Sequence, residues 1–144
     1  NFTLSVDASY KLRVENPDGL SVLSSSALLT VSDAPTWTTG AGSLGTVAAG
    51  DSVSLSVAGS SDSTVAYSET TSVLTSNSNT PAATMNLTLN SSTGAITGTA
   101  PSPTGETTYN FTLRLTDAES QTTDRAFSIT VSVGLSNSIT FQNP

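Results

Sequence analysis

The sequence predicts an all-β chain: a complete antiparallel β-sandwich preceded by part of a second one. Three observations carry this. Apolar residues alternate with polar ones through 85–133. Met85, Leu87 and Leu89 share one parity, as do Tyr109, Phe111, Leu113 and Leu115, and then Phe127, Ile129, Val131 and Val133. Successive strand side chains point to opposite faces, so each run is a strand with one dry and one wet face. Turn-forming residues separate the runs, and no segment shows helical periodicity.

The first segment runs from Asn1 to Asp33. Phe2, Leu4 and Val6 alternate, then Tyr10, Leu12 and Val14. Asn16-Pro17-Asp18-Gly19 is a turn, because proline presets φ and Asp and Gly tolerate the remaining turn positions. Leu20 to Leu23 and Leu28 to Val31 supply further strand. So short a segment cannot close a β domain. It reads as the C-terminal part of a domain that begins upstream.

Ala34-Pro35-Thr36-Trp37 is a linker and the entry to a second domain over 34–133. Trp37, the only tryptophan, is expected to plug the domain junction or the core edge. Val53, Leu55 and Val57 form one strand, and Val65 and Tyr67 another, with 59–63 as the turn between them. Residues 76–81 form a polar loop. Asn90 to Gly94 turns the chain into a short strand, Ala95 to Thr99. The Pro- and Gly-rich stretch 100–107 is a connection, and Asp117 to Gln121 joins the last two strands. That makes about seven strands, as a sandwich requires. Residues 134–144 form a tail or the start of a following segment. Its Leu135, Ile139 and Phe141 are apolar enough to pack on a further domain or another chain.

Composition narrows the function. The 144 residues carry 10% charged side chains and a net charge of −7. Serine and threonine make up about a third. There is no cysteine and no histidine, so no disulfide holds the fold. The cations are Lys11, Arg13, Arg114 and Arg125, too few to meet a phosphate backbone, so nucleic acid is not an expected partner. No apolar run approaches the ~20 residues of a membrane span, so no membrane insertion is expected. The chain opens on Asn1 without a visible signal peptide, which reads as a segment of a longer polypeptide.

Catalysis is not expected. Nucleophilic triads need a base beside the nucleophile, and histidine and cysteine are missing. A Ser-Lys pair would have to use Lys11, whose parity points it to the wet face. Glycoside hydrolysis needs paired carboxylates. The acids Asp51, Asp62, Glu69, Glu106, Asp117, Glu119 and Asp124 are scattered, almost all at turns, where Asp bonds its own backbone. Lys11's outward parity also argues against a Lys–Asn isopeptide staple.

No cofactor is expected apart from calcium, which takes several hard oxygen ligands. Asp117, Glu119 and Asp124 cluster about one turn and are the weak candidates; Asp33, Asp51 and Asp62 are further oxygen sources that nothing places nearby. The alternative is that Asp117 caps its turn and Asp124 pairs with Arg125. Four N-x-S/T sequons, at Asn1, Asn86, Asn90 and Asn110, are what chance gives in so Ser- and Thr-rich a chain. The polar ladders Ser52-Ser54-Ser56 and Asn110-Thr112-Arg114-Thr116 are solvated sheet, or a surface for glycans or a neighbouring subunit.

The stretch YKLRVENPDGLSVLSSSALLTVS resembles the closing strands of an IPT/TIG immunoglobulin-like domain. LTLNSSTGAITGTA, followed by TYNFTLRLTDAESQTTDRAFSITV, resembles the PIG-type immunoglobulin-like repeat and its cadherin-like relatives. Gly42 to Ser56 fits the start of that repeat. The family's Leu-Pro-x-Gly-Leu turn is replaced here by Pro81-Ala82-Ala83-Thr84-Met85, and the cadherin D-x-N-D-N linker by Ser32-Asp33-Ala34-Pro35. The resemblance implies an immunoglobulin-like sandwich in a non-enzymatic structural or adhesive role. Such modules occur in tailed-phage virion proteins (tail fibres, appendages, capsid decorations), in bacterial surface adhesins, and as accessory domains of secreted carbohydrate-active enzymes. The implied location is a virion surface or, alternatively, a bacterial surface or the medium. The implied partners are other copies, other structural proteins of the same assembly, or host surface glycans.

Overall fold

A computed structural model describes residues 8–29, 32–77 and 84–134. The chain divides into two compact units, Asn1–Asp33 and Ala34–Pro144.

In the first unit, β1 (Ala8–Tyr10) pairs antiparallel with β4 (Ala27–Leu29), and β2 (Arg13–Glu15) with β3 (Ser21–Leu23). The Asn16-to-Gly19 turn closes β2 on β3 as expected. Gly19 N donates to Asn16 O at 3.0 Å, and Gly19 holds φ 81°, a conformation glycine adopts freely. Asn16 Oδ1 accepts from Leu20 N at 2.9 Å. Leu12, Val14, Leu20, Val22 and Leu23 are all exposed. Lys11 is exposed too.

The second unit packs two sheets face to face. One holds β6 (Gly42–Ala48), β13 (Thr122–Ser132), β12 (Thr107–Thr116) and β9 (Ala66–Glu69), in that order. The other holds β10 (Thr88–Leu89), β11 (Ala95–Thr99) and β7 (Ser52–Ser56). A short ladder joins β5 (Thr36–Trp37) to β8 (Gly59–Ser60). Among the described residues there is no helix. The core draws Phe111, Leu113, Leu115, Phe127, Ile129 and Val131 from the first sheet and Val53 and Ile96 from the second. All are shielded from water, so burial, not cross-linking, stabilises the unit. The parity expected for β12 and β13 is the parity observed.

Four details differ from the sequence expectation. The β13–β6 pair is parallel, with Phe127 opposite Gly42 and Val131 opposite Val47. After the short ladder of β5 with β8 the chain enters the four-stranded sheet, where β6 runs alongside β13 in the same direction. Gly59–Ser60 is strand, not turn, because Trp37 and Thr36 lie beside it; a Cβ on Gly59 would overlap Leu115 Cδ1. Of the segment from Met85, only Thr88–Leu89 is strand. Asn86 sits at φ 53°, yet Met85 and Leu87 stay buried because their N–H groups donate to Val73 O and Leu74 O. Even-numbered Leu74, Ile96 and Ala100 also enter the core.

Trp37 is 7% exposed. Its ring meets Phe127 edge-on at 5.2 Å and Tyr67 at 5.9 Å, and Nε1 donates to Thr123 O at 3.0 Å. A ring so enclosed stacks on no ligand. The strands expected over 2–6, much of the 76–81 loop and the apolar residues 135–141 lie outside the described residues.

Candidate functional site

Because Ala66 pairs with Thr116, the loop before β9 lies beside the β12–β13 turn. Chain order separates these segments by some fifty residues; sheet topology joins them. The turn is tightly bonded. Asp117 N donates to Gln121 O at 3.1 Å, Ser120 N to Asp117 O at 3.1 Å, and Gln121 N to Asp117 Oδ1 at 2.7 Å. Ser63 latches the two segments: its hydroxyl donates to Glu119 Oε2 at 2.6 Å and accepts from Ala118 N at 3.2 Å. Ser61 Oγ donates to Asp62 Oδ1 at 3.0 Å.

One carboxylate oxygen each from Asp62, Asp117 and Glu119 lies within 4.8 Å of the other two. Asp62 and Glu119 are exposed, while Asp117 is 5% exposed. Asp117 Oδ2 is buried without a hydrogen-bond donor. The acid capping its turn is thus also half unsatisfied.

Asp124, third of the sequence candidates, lies elsewhere. It faces Arg114 across the β12–β13 ladder, with Nε–Oδ1 at 2.7 Å and Nη2–Oδ2 at 2.8 Å. The Arg114 hydrogen bonds hold its carboxyl below the ordinary range. The pairing with Arg125 expected from the sequence does not form. Strand neighbours point to opposite faces, and Arg125 Nη1 donates instead to Thr39 O at 2.6 Å.

Glu69 is an acid whose role the sequence reading missed. Its carboxylate accepts from Val73 N (2.6 Å), Leu74 N (2.8 Å) and Thr75 N (2.9 Å), and from the hydroxyls of Thr71 (2.9 Å) and Thr75 (2.8 Å). Burial alone would raise its pKa, but the backbone donors and Thr75 together bring it below the ordinary value. The signal was faint: one acid followed by Thr71 and Thr75. Asp51 lies at the β6–β7 turn, where its N donates to Ala48 O at 3.1 Å. Glu106 and Asp33 are exposed, and neither is a member of that trio.

The outer faces are polar as expected. Ser52, Ser54 and Ser56 are exposed on β7, and Asn110 on β12. Thr71, Asn110, Thr112, Ala126 and Ser128 border an open hollow of about 410 Å³ with a mostly apolar floor. No aromatic ring lies open there for a sugar to stack on: Phe111 and Phe127 are buried. Asn86, Asn90 and Asn110 of the sequons are exposed; Asn90 Oδ1 accepts from Ser92 N and Thr93 N.

Comparison with known proteins points to one architecture. The profile of a family described as Putative Ig domain matches residues 34–132. No curated protein matches by sequence. Among solved structures, the Drosophila N-cadherin EC1-4 fragment is similar with TM-score 0.52 and 14% identity, covering 89% of this chain and 34% of that one. The PcdhgB3 EC1-4 fragment is similar with TM-score 0.56 and 15% identity, covering 89% and 42%. An endo-fucoidan hydrolase of glycoside hydrolase family 107 is similar with TM-score 0.50 and 16% identity, covering 94% and 21%. The chain thus spans less than half of each of these proteins, and at such identities the likeness is one of fold.

Proposed function

The chain belongs to the Putative Ig domain family, and from that premise we propose that it is a non-enzymatic, tension-bearing spacer module of a larger surface protein. The observation that carries this reading is where the second unit admits and releases the chain. Trp37 sits beside Thr123, near the start of β13. The chain leaves at Ser132, at the other end of that strand, about 30 Å away at ~3.3 Å per residue. Entry and exit at opposite ends let such units extend a polypeptide in series.

The strand pair at the exit fits this role. β6 and β13 run parallel, and Ala49 N adds a further bond to Ser132 O at 2.9 Å. Tension between the ends slides β6 against β13, loading their hydrogen bonds together and not one at a time. The decisive measurement is single-molecule pulling on the chain ends. Ala49→Pro, which deletes the Ser132 bond, should lower the rupture force clearly. Equal forces for the parent and Ala49→Pro would sink the shear arrangement.

Within this reading, the host protein is a virion appendage, such as a tail fibre or a capsid decoration. The support is the wording NSSTGAITGTA and TYNFTLRLTDAE, which resembles such proteins. The exposed serines of β7 and Asn110 of β12 then face other subunits or host glycans. A second reading, an accessory domain beside a carbohydrate-active enzyme, is favoured by the fucoidan hydrolase likeness. A glycan array probed with the intact chain separates contact from spacing: binding that Asn110→Ala removes assigns the outer face of β12 a direct role.

A further inference from the structure

We infer that Asp62, Asp117 and Glu119, brought together by the loop before β9 and the β12–β13 turn, bind a calcium ion. Two independent observations carry this. One is the convergence of three carboxylate oxygens within 4.8 Å. The other is Asp117 Oδ2, an oxygen of a 95% buried side chain that receives no hydrogen bond. Buried carboxylate oxygens are normally satisfied, because desolvating the charge is costly without a partner. Oδ1 is committed to Gln121 N, so the turn cannot satisfy both oxygens.

The two arginines of this unit are otherwise engaged. Arg114 grips Asp124, and Arg125 is bonded to Thr39 O. An added ion would both satisfy Oδ2 and relieve repulsion among three like charges. Calcium fits the span better than magnesium. At 2.3–2.6 Å per ligand it bridges oxygens up to about 5 Å apart, whereas magnesium at 2.0–2.1 Å reaches only ~4.2 Å and demands regular geometry. Three carboxylates with solvent on one side suit the weak affinity of extracellular modules, roughly 10⁻⁴–10⁻³ M. Ser63, bonded to both Glu119 and Ala118, ties the loop before β9 to the β12–β13 turn and holds the two segments in place for the ion.

This inference is independent of the spacer reading, and its failure would leave that reading standing. The test is calorimetric titration of calcium chloride into the full chain, with thermal melts in calcium and in EDTA. Calcium should bind at sub-millimolar to millimolar concentration and raise Tm by ~5 °C or more at saturation. Asp117→Asn retains a side-chain oxygen to accept from Gln121 N, so it should fold, melt close to the calcium-free parent and lose the calcium response. Glu119→Gln should weaken binding about tenfold. Asp124→Asn should keep the response. No heat and no Tm shift up to 10 mM calcium would overturn the inference. So would a response lost in Asp124→Asn but kept in Asp117→Asn. An equal shift with magnesium would overturn the choice of ion.

Discussion

The two units use the same vocabulary of alternating apolar residues and end in opposite states. In the first, Leu12, Val14, Leu20, Val22 and Leu23 are 60 to 73% exposed. In the second, the core residues are 0 to 7% exposed. Val14 pairs with Val22 across β2 and β3 much as Phe111 pairs with Phe127 across β12 and β13. Local pattern and strand pairing are therefore equivalent. What differs is a second layer: β7 and β11 cover one face of the four-stranded sheet, while nothing described covers β2 and β3. A hydrogen-bonded ladder specifies where strands lie, but only an opposing apolar face removes their side chains from water.

The sharpest way to break this comparison is truncation on each side of it. Phe111→Ala should destabilise the second unit by about 3–5 kcal/mol in urea denaturation, because it removes a buried ring and leaves a cavity. Leu20→Ala in the first unit should change that same transition by less than about 0.5 kcal/mol. Similar costs for the two would mean that Leu20 is buried and that the contrast is false.

Two left-handed glycines extend it to the backbone. Gly94 holds φ 70°, and an added Cβ would overlap Val57 O and crowd the Tyr67 ring at 3.1 Å. Gly19 holds φ 81° with nothing within 4 Å. Gly94→Ala should cost about 2–4 kcal/mol, strain plus overlap, and Gly19→Ala only ~1 kcal/mol of strain. Matching thermal melts for the two variants would remove packing from the explanation.

The smallest effect contrasts two glutamates. Glu69 holds a loop through backbone donors, whereas Glu15 makes an exposed pair with Arg13 at 2.9 Å. Glu69→Gln should cost about 1–2 kcal/mol, and Glu15→Gln less than ~0.5. Glu69 has a folded pKa below its unfolded value, so its contribution is complete above the unfolded pKa. It fades as pH falls through the lowered folded pKa. A parent whose stability advantage over Glu69→Gln persists unchanged to pH 2 would contradict this.

Parity served well where strands are long. Phe111, Leu113 and Ile129 were assigned to the interior from alternation, because ten- and eleven-residue strands leave the pattern little freedom. Parity could also have separated Asp124 from Arg125 and placed it with Arg114, given the hairpin register. It could not show that Asp62 joins Asp117 and Glu119, or that Glu69 organises Val73 to Thr75. Those groupings arise from loops, where side-chain direction has no period.

Sequence alone determined that this chain is β-rich and that its long strands turn one set of residues inward. Those properties are local, set by side-chain alternation and turn chemistry. Tertiary structure decided the parallel β6–β13 pair, the enclosure of Trp37 and the meeting of three acids on one rim. Each depends on which strands become neighbours, a choice made by the burial of whole faces and written in no single segment.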